Sequence, residues 1–505
     1  MFAHLKGRPS GRPFLKICRK GKSMRKLTRS EKTKLIEKAK TLIIVLLLFL
    51  CFFLGYRILR LYKAQANVEN ALWGGGGSGM TDVMDSSSQY ELSIMSELSQ
   101  PEMIVLNSVQ GRNLLEDKGN ETFDKLAKLS NQIIGEFYRL KSDEVLGSSK
   151  EEWKNVLKSN SLYIRYPDER FLDFEKALYG IKDTGISDKI KSYTKVLIMP
   201  DNGEAEAVTV FIEEQNGESV VKARLSTENA KSIIENIKKL PHSQKKEYVF
   251  AHELNLDREG DKDKTVLEPM LLIPAGDEKA LGIEVTVPRL YRAGLNFTKA
   301  TDLTVGLINI FGYNPNTIRQ YVNSDDSIMF VGETGSLSLH PEGMIEYKAL
   351  DAEDGVALGL ADGEDFKNII FNLCGMLEKV MRISGINTNN SDFTVKMTSI
   401  PESYQFSSKT EIGFDYFVEG KKLEFLDSYG IWAVIQKGNL IELKMQLKSI
   451  ERQNKQSLMG DMLNAIDEFC IENVDCKKIN HVYGIYKYEK GTTELKAEWK
   501  VEGAK

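Results

Sequence analysis

The pair best spaced for covalent chemistry is Ser192 and Lys195, in Ser192-Tyr193-Thr194-Lys195. A lysine three residues after a serine is the nucleophile–base arrangement of penicillin-binding enzymes, where it opens a helix beside Ser-Asp-Asn and Lys-Thr-Gly companions. Here the pair enters a strand-like run, "SYTKVLIMP", and neither companion follows. In a chain rich in Ser and Lys, such a match arises by chance. Metal chemistry fares no better. His242, His252, His340 and His481 are scattered, and "HEL" at His252 lacks the second histidine that a zinc helix places four residues on. Asp257, Asp261 and Asp263 alternate with Lys and Arg, which favours a solvated loop over a calcium site. No Gly-rich phosphate loop ending in Lys-Ser/Thr is present. No catalytic, cofactor-binding or metal residue is expected, no cofactor, and no small-molecule substrate or nucleic acid.

What remains is organisation, and the charge distribution sets it. Residues 1–63 carry 17 Lys/Arg and 2 Asp/Glu, against a net charge of −4 for all 505 residues. Such asymmetry marks either a nucleic-acid arm or a membrane topology signal. "TLIIVLLLFLCFFLGY", Thr41 to Tyr56, runs sixteen residues without a charge. Lys40 and Arg57 can snorkel at its ends, so a single transmembrane helix is expected over 39–62. A cleaved signal peptide fits less well, because Arg57, Arg60 and Lys63 interrupt the approach to Ala64-Gln65-Ala66. The 14 Lys/Arg of residues 1–40 keep the N-terminus in the cytoplasm, with the bulk of the chain outside. The basic arm, 1–38, then lies on anionic lipid. Leu46, Phe49, Phe52 and Phe53 are the anchor's candidate contacts with the bilayer and with a partner.

A Gly/Ser-rich spacer follows over 63–90. Three α+β units are expected beyond it. In 91–240, Glu121 to Leu140 carries apolar residues at helical spacing. Ala207 to Leu225 reads as a hairpin about Asn216-Gly217, and a capped helix is expected from Ser226. The middle unit, 241–361, contains strands and a helix ending at Gly312. In the last, 362–505, Phe366, Ile369, Ile370, Leu373, Leu377 and Val380 line one helical face. Ile441, Leu443, Met445 and Leu447 alternate with Glu442, Lys444, Gln446 and Lys448, the pattern of a sheet dry on one face. A helix from about Ser457 would cover that face. Of five cysteines, Cys18 lies inside, Cys51 in the span, and Cys374, Cys470 and Cys476 outside. Cys374 belongs to a core, while Cys470 and Cys476 are either bridged or two isolated thiols.

Two stretches carry a resemblance. "NIFGYNPNTIRQYVNSDDSIMFVGETGSLSLHPEGMIEY" contains an Asn314-Pro315 turn, then Arg319 and Tyr321. An acidic turn at Asp325-Asp326 follows, and a strand from Gly343 to Tyr347. The end of the chain adds "GIYKY" and Trp499. Together these resemble the YycH/YycI family, membrane-anchored accessory regulators of the WalK sensor kinase in low-GC Gram-positive bacteria. The likeness is clearest over residues 300–505. It implies PepSY-like extracytoplasmic domains and no enzymatic activity. It also implies contact with a membrane sensor histidine kinase that controls cell-wall metabolism, and with a sister regulator of the same family. It makes Asn314, Pro315, Arg319, Tyr321, Gly343, Tyr347 and Trp499 structural motif residues. An envelope module binding peptidoglycan or an assembly partner is the alternative.

Overall fold

Strand segments such as Ser161–Tyr166 and Tyr193–Ile198 are buried at every position rather than at alternate ones. A strand buried on both faces must lie inside a covered sheet. The computed structural model places both segments so. It describes residues 100–504 except 109–110, 116–120, 183, 202–206, 215–218, most of 227–247, 258–264, 289–301, 360–365, 387–391 and 427. All fall within one compact unit, Gly79–Lys505. The basic arm, the apolar span with Leu46, Phe49, Phe52 and Phe53, the whole spacer, and most of the helix expected after Ser226 lie outside the described residues. Among the described residues no helix is long and apolar enough to cross a membrane.

The N-terminal sheet is antiparallel. Among the described residues its order is Gly111–Leu115, Met103–Ser108, Ser161–Phe171, Ser192–Pro200, Ala207–Glu214, Val220–Ser226 and Leu146–Ser148. The expected hairpin is there, with Glu213 opposite Val220. One face packs under helix Glu121–Phe137, where Phe123, Leu126, Ile133 and Phe137 meet Ile164, Val196 and Val210. The other packs against Trp153 and Leu157, and against Phe250, Met270 and Leu272 from the segment that follows.

The segments expected as separate units, 241–361 and 362–505, share a single large sheet. Its main path runs through Arg319–Val322, Ile328–Val331, Gly335–Leu339, Met344–Ala349, Asn439–Gln446, Ile431–Gln436, Thr410–Val418, Lys421–Phe425, Lys478–Tyr488 and Ala497–Ala504. The join is Met344–Ala349 against Asn439–Gln446, with Ile345 opposite Met445 and Tyr347 opposite Leu443. The reason is area. Helix Asp302–Ile310, nine residues long, is too short to cover the dry face made by Ile328, Phe330, Leu337 and Ile345. Helix Phe366–Ile383 completes the cover, and its six expected apolar residues are all buried. Each large apolar side chain removed from water there contributes roughly 1.5–3 kcal/mol.

Two local differences follow from the same packing. Residues 457–460, expected to start a helix, end a long strand, Ser449–Gly460, which pairs with Glu278–Thr286. The helix is Met462–Glu472, begun by Asp461, whose carboxylate accepts from the Leu463 amide at 2.9 Å. It packs on Ile479 and Val482 in a cluster of its own. Lys448, expected on the wet side, is 1% exposed. The turn carrying it folds onto the hairpin tip at Gly343, where the Leu447 amide donates to the Gly343 carbonyl at 2.7 Å. Cys374, Cys470 and Cys476 are free thiols. Cys374 is partly buried against the core of the large sheet, and that burial pushes its thiol up to about 12.

Candidate functional site

The serine and lysine that spacing singled out are both committed to structure. The Ser192 hydroxyl donates to the Glu169 carboxylate. The Lys195 ammonium donates to Glu268 at 2.7 Å and to Glu213 at 3.3 Å. Burial alone would lower the Lys195 pKa, but the Glu268 and Glu213 carboxylates outweigh it and raise the value above the lysine range. A general base must be able to shed its proton near neutral pH. Lys195 is instead a fixed cation, and the Ser192 proton already has an acceptor.

What Lys195 does is join parts of the chain. Glu213 sits directly across from it in the N-terminal sheet. Glu268 belongs to a connecting segment, 248–274, that reaches the large sheet. There Val266 and Leu267 pair in parallel with Lys478 and Ile479, and the Glu268 amide donates to the Ile479 carbonyl at 2.8 Å. More ion pairs tie the same segment back to the N-terminal sheet and its flank. Arg112 grips Glu253 with both arms, one at 2.7 Å, and lies 4.5 Å over the Phe250 ring. Lys154 meets Asp257 at 2.8 Å. His252, flagged for metal, bonds the Pro269 carbonyl at 3.0 Å, and burial lowers its pKa. Among the described residues no three His, Cys, Asp or Glu side chains gather as metal ligands.

A groove opens where the N-terminal sheet, the connecting segment and the large sheet converge. Met103, Arg165, Tyr248, Met459, Tyr483 and Trp499 line it. Its polar atoms have partners. Trp499 Nε1 donates to the Gly460 carbonyl at 3.1 Å, and the Tyr483 hydroxyl to Glu502 at 2.6 Å. Arg165 holds Glu102 through Nε at 2.9 Å and Nη2 at 3.0 Å. The groove therefore mixes apolar and aromatic side chains with charges that already have partners.

The motif residues are not gathered there. Asn314 and Pro315 form a turn, in which Asn314 Oδ1 accepts from the Asn316 amide at 2.9 Å and the Asn314 carbonyl accepts two amides beyond. Arg319 and Tyr321 lie on the exposed strand that ends the large sheet, with Tyr321 50% exposed. Gly343 has φ of +91°, and a Cβ there would sit 2.6 Å from the Leu447 carbonyl oxygen. Tyr347 is core, stacked on Phe311 at 4.9 Å. Trp499 alone reaches the groove. Sequence reading missed Glu102, Arg165, Lys195 as an ion-pair partner, Glu213 and Glu268. For Arg165 and Lys195 the one signal is a single charge inside a run otherwise fit for a doubly covered strand.

No family model matches the chain, and no curated protein matches it. Among solved structures the chain is similar to the crystal structure of YycH from Bacillus subtilis. The match is at 11% identity and a TM-score of 0.49, and covers 81% of this chain and 96% of that one.

Proposed function

We propose that the protein is a membrane-anchored, extracytoplasmic regulator that catalyses nothing itself and modulates a sensor histidine kinase controlling cell-wall metabolism through protein contact. The observation that supports a contact role over acyl transfer is the fate of Ser192 and Lys195. The pair spaced for acyl transfer is bound up in carboxylates, and Lys195 joins the N-terminal sheet to the connecting segment. The uncharged run Thr41 to Tyr56 behind its basic arm supplies the anchor, N-terminus inside. The motif stretches supply the kinase and a sister regulator as expected partners.

Photo-crosslinking in cells tests it, from Leu46 in the span and from Tyr321, which is exposed where Tyr347 is not. Recovery of a histidine kinase from either site, with kinase output altered on deletion of this protein, is the expected result. Recovery of wall-assembly proteins alone would replace the regulator reading with the envelope-module one.

A further inference from the structure

We propose that residues 100–102 form a clamp, so that parting the N-terminal sheet from the large sheet releases the chain on the side that leads to the membrane. The membrane side of this inference rests on the anchor reading above; the clamp itself rests on contacts. Gln100 is 7% exposed, and Pro101 beside it is also buried. Pro101 and Glu102 are held from opposite directions. The Pro101 carbonyl accepts from the Lys396 ammonium at 3.0 Å, a contact spanning 295 residues of sequence. Lys396 stands on strand Thr394–Ser399, paired to the large sheet. Glu102 is held by the N-terminal sheet: its amide donates to the Arg165 carbonyl at 2.8 Å, and its carboxylate takes both arms of the Arg165 guanidinium.

Lys396 makes the two events one. It is 1% exposed, and its ammonium lies 4.9 Å from the Phe417 ring of the large sheet and 5.9 Å from the Phe123 ring of helix Glu121–Phe137. One ring comes from each side. A buried ammonium keeps its place only while its acceptors and rings surround it. Separation of the sheets strips away Phe123 and Pro101 together and lets water reach the charge. Closure restores both. An element with two discrete arrangements that both ends bias is what physical coupling requires. The groove lined by Glu102, Met103, Met459 and Trp499 runs beside the clamp, and the sheets would part there.

Hydrogen exchange read by mass spectrometry tests the clamp on the full-length protein in lipid nanodiscs. Three proteins are compared: wild type, Lys396→Met and Glu102→Gln. Lys396→Met should speed exchange at least tenfold in peptides covering 101–108 and, across the groove, 478–488. The two should open at a common rate, with strands 207–214 and 220–226 unchanged. Glu102→Gln keeps the shape of the side chain and should give the same correlated opening at smaller amplitude; it carries the test if Lys396→Met does not fold. Faster exchange in 101–108 alone, or no change in either peptide, would overturn the clamp. The readout needs no kinase, so correlated opening without a captured kinase would fault the function and leave the clamp standing.

Discussion

Two buried lysines in the two sheets have opposite fates. Lys195, in the N-terminal sheet, sits between Glu213 and Glu268, and those carboxylates raise its pKa despite burial. Lys448, at the turn of the large sheet, is also buried, at 1% exposure against 8% for Lys195, but it donates to the backbone carbonyl of Glu342 and lies 4.9 Å over the Tyr488 ring. Burial wins there and pushes its pKa down to about 8, with Lys490 adding to the fall and the Glu342 carboxylate opposing it. Depth does not decide the state of a buried amine; the formal charge of its partners does. The first arrangement locks parts of the chain together, and the second is a local strain on a hairpin tip.

The largest effect should come from breaking the lock. Lys195→Met leaves Glu213 and Glu268 buried without their cation and should cost about 3–5 kcal/mol, read by chemical denaturation. Adding Glu213→Gln and Glu268→Gln to Lys195→Met should recover much of that loss, since no uncompensated charge is left. Recovery would separate an electrostatic lock from simple packing. Next comes the hairpin tip that buries Lys448. Gly343→Ala places a Cβ against the Leu447 carbonyl at positive φ and should destabilise by about 1–3 kcal/mol.

The pH dependence sharpens the contrast further. Lys448 falls from 10.5 in the unfolded chain to about 8 in the folded one. Below pH 8 both states carry the proton, and the folded state bears the full burden of the buried charge. Between pH 8 and 10.5 the folded state sheds its proton first, so folding stability gains as pH rises through that window. Lys448→Met should remove that gain. For Lys195 the sign reverses: its stabilisation is complete below 10.5 and is lost only as pH climbs toward its raised folded value. Stability curves of both methionine variants from pH 7 to 10.5 would expose the difference, and parallel curves would refute it.

Legibility followed the range of the interaction. Helix Phe366–Ile383 and strand Asn439–Gln446 declared themselves through local periodicity, which their burial preserves. The hairpin of Ala207–Glu214 and Val220–Ser226 was legible from the Asn-Gly dipeptide between two β-rich runs. The merging of two expected units was hidden, because Ile345 meets Met445 across an intervening helix that a linear reading takes as a new beginning. The ion pairs were hidden for the same reason. Lys195 and Glu268 are 73 residues apart, and nothing near either announces the other. Lys448 was misread because alternation predicts a wet face only while the strand continues, and here the chain turns against a hairpin tip.

The most direct test of the central claim is a single variant, Ser192→Ala in the full-length protein, with melting temperature and kinase output in cells measured together. If Ser192 only caps Glu169 within the fold, melting shifts by no more than the loss of one partly exposed hydrogen bond, about 1 kcal/mol, and output matches wild type. Lost output with an unchanged melting temperature would show that the hydroxyl does chemistry, and would contradict a protein that acts by contact alone.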